Sequence, residues 1–166
     1  GVFNYALSLE NIGQRFVASG FEDKGRMFLI KSTNYLETIL DIAPDFPLAY
    51  YKLGYHYKYY EQFLKANLIW EKYLKLNDDI DRIEEIRKEL ELIKDDVDFE
   101  QGLYYLNHRD YNNALNKFLK LSEKHTEWGY IFYLTALAFK GNGEYENAIL
   151  YLNKAIEFDE YNIDIY

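Results

Sequence analysis

The chain has 166 residues, a net charge of −9, 49% hydrophobic and 19% aromatic residues, and no cysteine. That length suits one compact domain or one short solenoid. Without Cys there is no disulfide, thiolate metal site or cysteine nucleophile, which fits a reducing, cytoplasmic setting, and a net acidic chain lacks the clustered Lys and Arg that phosphate contacts need. Only two prolines and nine glycines interrupt it, so long helices are expected. No apolar run reaches the ~20 residues that span a bilayer, so neither nucleic acid nor membrane is expected as a partner.

Residues 1–46 read as two helices. Leu9, Ile12, Gly13 and Phe16 share one helical face; Ser32, Leu36 and Ile39 share another, and Pro44 ends it. Set against the units downstream, about seven extra residues lie around Gly20 to Gly25. The segment reads as a divergent first repeat with longer helices or a longer turn, the alternative being an unrelated capping hairpin.

Residues 47–77 give the clearest unit. Tyr50, Leu53, Gly54 and Tyr57 recur at i, i+3, i+4, i+7; after a polar break at Glu61-Gln62, Phe63, Ala66, Trp70 and Tyr73 form a second stripe. So short a turn makes the two helices antiparallel, and Gly54 and Ala66 let their backbones approach.

Residues 78–94 are an acidic helical insertion. From Asp78 to Glu100 there are 11 Asp and Glu against 4 Lys and Arg, so about −7 of the −9 lies there. Ile83, Ile86, Leu90, Ile93 and Val97 form a narrow apolar seam, and Asp78 and Asp79 suit a helix N-terminus. Asp95-Asp96 could begin a new helix, but with neither Gly nor Pro nearby one long helix from Asp79 to Asn107 is predicted. The seam is expected to pack mainly within the chain, with a homodimer through the 79–97 helix as the alternative.

Two further units follow, 95–126 and 127–160. Tyr111-Asn112-Asn113-Ala114-Leu115 recurs 34 residues later as Tyr145-Glu146-Asn147-Ala148-Ile149, and Gly102, Tyr105 and Phe118 recur as Ala136, Phe139 and Leu152. Gly54, Tyr57, Phe63, Ala66 and Trp70 repeat the same internal spacings. Such a period, carried by small and aromatic residues, marks stacked helical hairpins. Residues 161–166 look like the start of a further helix, with Tyr166 where Phe132 stands one unit earlier, so a piece of a longer protein is expected.

The unit resembles the tetratricopeptide repeat (TPR). Tyr50, Leu53-Gly54, Tyr57, Ala66 and Trp70 match that family's pattern, with Tyr73 where a small residue is usual. The third unit keeps Gly102, Tyr105, Tyr111, Ala114 and Phe118 but has Asp98 and Gln101 where an aromatic and Leu are expected; the fourth keeps Phe132, Ala136, Phe139, Gly143, Tyr145, Ala148 and Ala155. The resemblance implies an all-α, right-handed superhelical solenoid of stacked helix-turn-helix repeats over residues 1–166, with one helix extended.

No catalytic constellation is legible, and no cofactor or metal is expected. His56, His108 and His125 lack a second ligand at helical spacing. Asp78-Asp79-Ile80-Asp81 lacks the Gly and distant Glu of a calcium loop. Gly141-Asn142-Gly143 lacks the strand and Lys of a phosphate loop. Beside the core stripe, however, Tyr51, Tyr55 and Tyr59 form another at i, i+4, i+8, matched by Phe99 and Leu103 and by Tyr133 and Leu137. In the family this face lines a concave groove that receives peptides. Here it would be aromatic; Lys58 and Lys140 are the only nearby cations, so the family's clamp for acidic carboxyl termini is not matched. The function expected is a non-catalytic protein-interaction scaffold for a peptide or amphipathic helix. The alternatives are a peptide-sensing regulatory domain, a helical appendage of an enzyme such as a glycosyltransferase or kinase, and a groove filled by another part of the parent protein.

Overall fold

The computed structural model describes residues 1–76 and 79–158. Among these, nine helices and no strand occur: α1 (Val2–Ala18), α2 (Glu22–Ile42), α3 (Pro47–Tyr59), α4 (Phe63–Leu76), α5 (Ile80–Leu92), α6 (Lys94–Asn107), α7 (Tyr111–Lys124), α8 (Gly129–Gly141) and α9 (Tyr145–Phe158). They form two compact units, Gly1–Ile93 and the chain from Lys94 on. In the first, each of α1 to α4 packs on the helix that follows it; in the second, each of α6 to α8 does. The helix expected to begin at 161, with Tyr166, lies outside the described residues, as does Asp78.

Four helical hairpins share one turn. Three residues separate α1 from α2, α3 from α4, α6 from α7 and α8 from α9. The middle one has positive φ each time: Gly20 at 82°, Glu61 at 55°, Arg109 at 60° and Gly143 at 82°. Its N–H donates three residues back, and the next N–H donates five back, as from Gln62 to Tyr57 O at 2.9 Å and from Asp110 to Tyr105 O at 2.9 Å. This is the Schellman closure, in which one left-handed residue lets the last carbonyls of a helix find donors. Glycine adopts that conformation freely; Glu61 and Arg109 adopt it against steric resistance.

The shared turn corrects the register of the first hairpin. The seven extra residues do not lie around Gly20 to Gly25; they lengthen α2, which has 21 residues where α4, α7 and α9 have 14. Gly13, Gly25 and Leu29 therefore stand where Gly54, Ala66 and Trp70 stand. The two glycines bring α1 and α2 so close that a Cβ on Gly25 would lie 2.7 Å from the Gly13 carbonyl oxygen. Further along α2, Ser32 is fully buried and donates to Ala6 O at 2.8 Å.

The single helix expected from Asp79 to Asn107 is also corrected. It is two helices, interrupted at Ile93 (φ −94°, ψ 5°). Asp79 caps α5, accepting from Arg82 N at 3.3 Å. Asp95 and Asp96 occupy the first turn of α6, where negative side chains favour a helix start. The long helix of the chain is thus α2. Of the acidic seam, Ile86, Ile93 and Val97 are buried within the chain, while Ile83 and Leu90 are half-buried.

The crossings are filled by rings against small residues. A Cβ on Gly102 would come within 2.3 Å of Phe118 Cε1, and Ala66, Trp70, Ala114 and Phe118 are fully buried. Asp98, standing where the repeat pattern has an aromatic ring, is buried and accepts from Lys117 at 2.7 Å and Lys120 at 2.9 Å. Burial raises its pKa, but the two ammonium groups outweigh that and hold it below the usual carboxylate range.

Candidate ligand-binding face

In the first unit the stripe of α3 is partly covered. Tyr51 and Tyr55 are half-buried and Tyr59 is exposed. The Tyr51 and Tyr55 rings meet edge to face at 5.2 Å, and Tyr55 meets Trp70 at 5.0 Å. Both hydroxyls donate to Glu85 Oε1 on α5, at 2.9 Å from Tyr51 and closer from Tyr55. Arg82 lies over the Tyr51 ring at 5.5 Å, and Lys58 pairs with Glu89. Desolvation and then the hydrogen bond to Glu85 raise the pKa of both tyrosines, so their phenols stay protonated as donors. The acidic insertion thus supplies a polar partner to this face, which the stripe alone does not reveal.

Where Tyr51, Tyr55 and Tyr59 lie on α3, α1 carries Glu10, Gln14 and Ala18. A cavity of about 350 Å³ is lined by these α1 residues together with Tyr55, His56 and Tyr59 of α3 and with Val17, Leu29 and Tyr60. Glu10 and His56 are each too isolated in sequence to be singled out there; the 45 residues between them are spanned only by folding.

In the second unit Phe99, Leu103, Tyr133 and Leu137 are brought together, half-buried and packed on one core that includes Ala114, Phe118, Ile131 and Leu134. Sequence reasoning omitted two neighbours that extend this set. Phe99 meets Trp128 at 5.0 Å and Tyr130 at 6.4 Å, and Tyr130 stacks on Tyr133 at 6.1 Å. Trp128 and Tyr130 are exposed. Both precede the core stripe of α8, at its N-terminal end, where periodicity carries no signal for them.

Among the described residues no group of three or more His, Cys, Asp or Glu could hold a metal ion, and no helix is long and apolar enough to cross a membrane. His125 meets Asp95 at 2.8 Å, and His108 bonds to its own helix at Tyr104 O.

Paired helices closed by one recurring turn, with a small residue of the first facing a ring of the second, define the class: this chain has the tetratricopeptide-repeat fold. Among solved structures it is similar to YrrB, described as a TPR protein with an unusual peptide-binding site, at 18% identity over 95% of this chain and 88% of that one, with a TM-score of 0.52. It is also similar to MamA from Desulfovibrio magneticus RS-1 (20% identity, 93% and 76% of the two chains, TM-score 0.47). A third is the TPR domain of P58(IPK) (18% identity, 95% and 52%, TM-score 0.41). No protein-family model and no curated protein matches the sequence.

Proposed function

We propose that the chain is a non-catalytic protein-interaction scaffold that binds a peptide or amphipathic helix through aromatic side chains presented by α3 in one unit and by α6 and α8 in the other. The observation that carries this reading is the continuous run of ring contacts from Trp128 through Phe99 and Tyr130 to Tyr133, with two of its rings exposed on a helical support. Aromatic rings on rigid elements bury large area at small entropic cost and concentrate interface energy. Leu103 and Leu137 complete the proposed face of the second unit, and Tyr51, Tyr55 and Tyr59 are the proposed stripe of the first.

The test is selection of peptides displayed against the whole chain, followed by titration of an enriched peptide into variants. Tyr133→Ala and Phe99→Ala should each weaken binding by about 2 kcal/mol while helicity persists. Binding driven by apolar burial should also survive 0.5 M salt, which screens exposed charges. Binding that is lost in salt yet unaffected by both substitutions would overturn the proposal.

A further inference from the structure

The second unit sets a carboxylate, crowded by like charge, beside its exposed rings. Asp96 lies in the first turn of α6, exposed, three residues before Phe99 and hence on the same side of the helix. Phe99 meets Trp128 at 5.0 Å, and Trp128 meets His125, which lies within electrostatic range of Asp96, at 6.0 Å. The carboxylate therefore borders the run of rings that continues through Tyr130 to Tyr133. Its neighbour Asp95 is paired with Lys124 and His125. Around Asp96 the balance is acidic: desolvation and then repulsion from Asp95 and Glu100 outweigh the opposing contacts and raise its pKa. An exposed carboxyl stays ionised at neutral pH, and an approaching cation relieves the repulsion. A helix start favours acid at this position, but it does not account for rings left exposed alongside.

The first unit shows what such a pairing accepts. Tyr51 stands on α3 where Phe99 stands on α6, three residues before Gly54 and Gly102 respectively. The Arg82 guanidinium lies over the Tyr51 ring at 5.5 Å, and its Nε is 3.6 Å from Asp79 Oδ2. Ring, guanidinium and carboxylate come together there within the chain. In the second unit the ring and the carboxylate recur, but the N-terminal end of α8 brings Trp128 and Tyr130 rather than a cation; the basic residue of that helix, Lys140, lies in its last turn.

We propose that the aromatic run of the second unit receives an arginine side chain of a peptide, its guanidinium plane laid against the exposed rings of Trp128 and Tyr130 and its N–H groups donated to the Asp96 carboxylate. A guanidinium is planar, keeps its charge, and can stack on a ring while it pairs with a carboxylate. Lysine offers a point charge with no plane to stack, and an acidic side chain meets like charge. The inference rests on the peptide-binding reading of these rings and names the side chain that they select.

The experiment uses the full chain labelled with ¹⁵N-tryptophan and blocked tripeptides, N-acetyl-Leu-X-Leu-amide, in which X is arginine, lysine, citrulline or glutamate. Trp128 is exposed, and Trp70, fully buried in the first unit, serves as the reference signal. The arginine probe should shift the Trp128 Nε1–H resonance and leave that of Trp70 in place. It should bind about fivefold more tightly than the citrulline probe, which keeps the plane and loses the charge; lysine should fall between them and glutamate should bind least. In Asp96→Asn the arginine and citrulline probes should come within about twofold of each other, with citrulline binding and helicity unchanged. Equal binding of arginine and citrulline by the parent chain, a glutamate probe that binds as well, an undiminished arginine preference in Asp96→Asn, or a Trp128 signal that no probe moves would each overturn the inference. Probes that bind without regard to charge yet weaken in Tyr133→Ala would overturn it while supporting the peptide-binding reading, so the two proposals fail separately.

Discussion

A Cβ on Gly54 would stand 2.0 Å from Nε1 of Trp70, inside the space the indole occupies. The same step along the chain pairs Gly102 with Phe118, where a Cβ would come within 2.3 Å of the ring. Where the facing residue is a ring the position is glycine, and in the first hairpin Gly13 takes the same place, where a Cβ would stand 2.9 Å from Leu29 Cγ.

Gly54→Ala and Gly102→Ala should therefore destabilise the chain despite alanine's better helix propensity. The propensity gain is about 1 kcal/mol, whereas overpacking costs about 1–3 kcal/mol, and a ring wedged against backbone belongs at the upper end. Urea unfolding of both variants measures the difference. Midpoints at or above that of the unsubstituted chain would mean that the rings can step aside.

Exposed Arg109 holds a left-handed conformation at the turn into α7, with φ 60°. Arg109→Gly removes a strain of about 1–2 kcal/mol, partly offset by the greater freedom of glycine in the unfolded chain. It should raise the melting temperature. Gly143→Ala, at the same turn position before α9, should lower it.

Acid should strip the second unit of one specific ion cluster. The Asp98 pKa is depressed in the folded chain because Lys117 and Lys120 outweigh its desolvation. Its contribution is thus complete above the unfolded value of about 3.9 and is lost as pH falls through the lower folded value. Asp98→Asn should cost about 2 kcal/mol at pH 7, through loss of the charge-assisted hydrogen bonds that the buried carboxylate accepts. That difference should shrink as pH falls below 4, which melting curves across the range would show.

Ile86 is fully buried. Ile86→Ala should cost about 2–4 kcal/mol, and sedimentation should give one concentration-independent mass for the parent chain. A mass that rises with concentration and is reset by Leu90→Glu, helicity intact, would instead support pairing through the 79–97 helix.

What the sequence disclosed follows from how strongly each residue type is constrained. The repeats carrying Gly54 and Trp70, or Gly102 and Phe118, are legible because a ring against glycine leaves a rare pair of letters at a fixed step. The first hairpin hides the same crossing behind Gly13 and Leu29, a pair without a ring, so its seven additional residues read equally as longer helices or a longer turn. The stop at Ile93 has no Gly or Pro to announce it. Tyr51 and Tyr55 were recognisable as a stripe, but their hydrogen bonds to Glu85 depend on where α5 folds back. Glu10 and His56 were beyond reach because a lone carboxylate and a lone imidazole have no periodicity.

The added length of α2 also obeys a rule of phase. Seven residues at 3.6 per turn fall within about 20° of two complete revolutions, so the longer helix keeps Leu29 and Leu36 on the same inward side. Lengthening or trimming this helix by seven should preserve which residues face inward. A change of five would rotate everything beyond it by roughly 140° and turn the buried row to water. A designer grafting a recognition segment onto this chain has a unit of measure: near-whole revolutions, added beyond the turns.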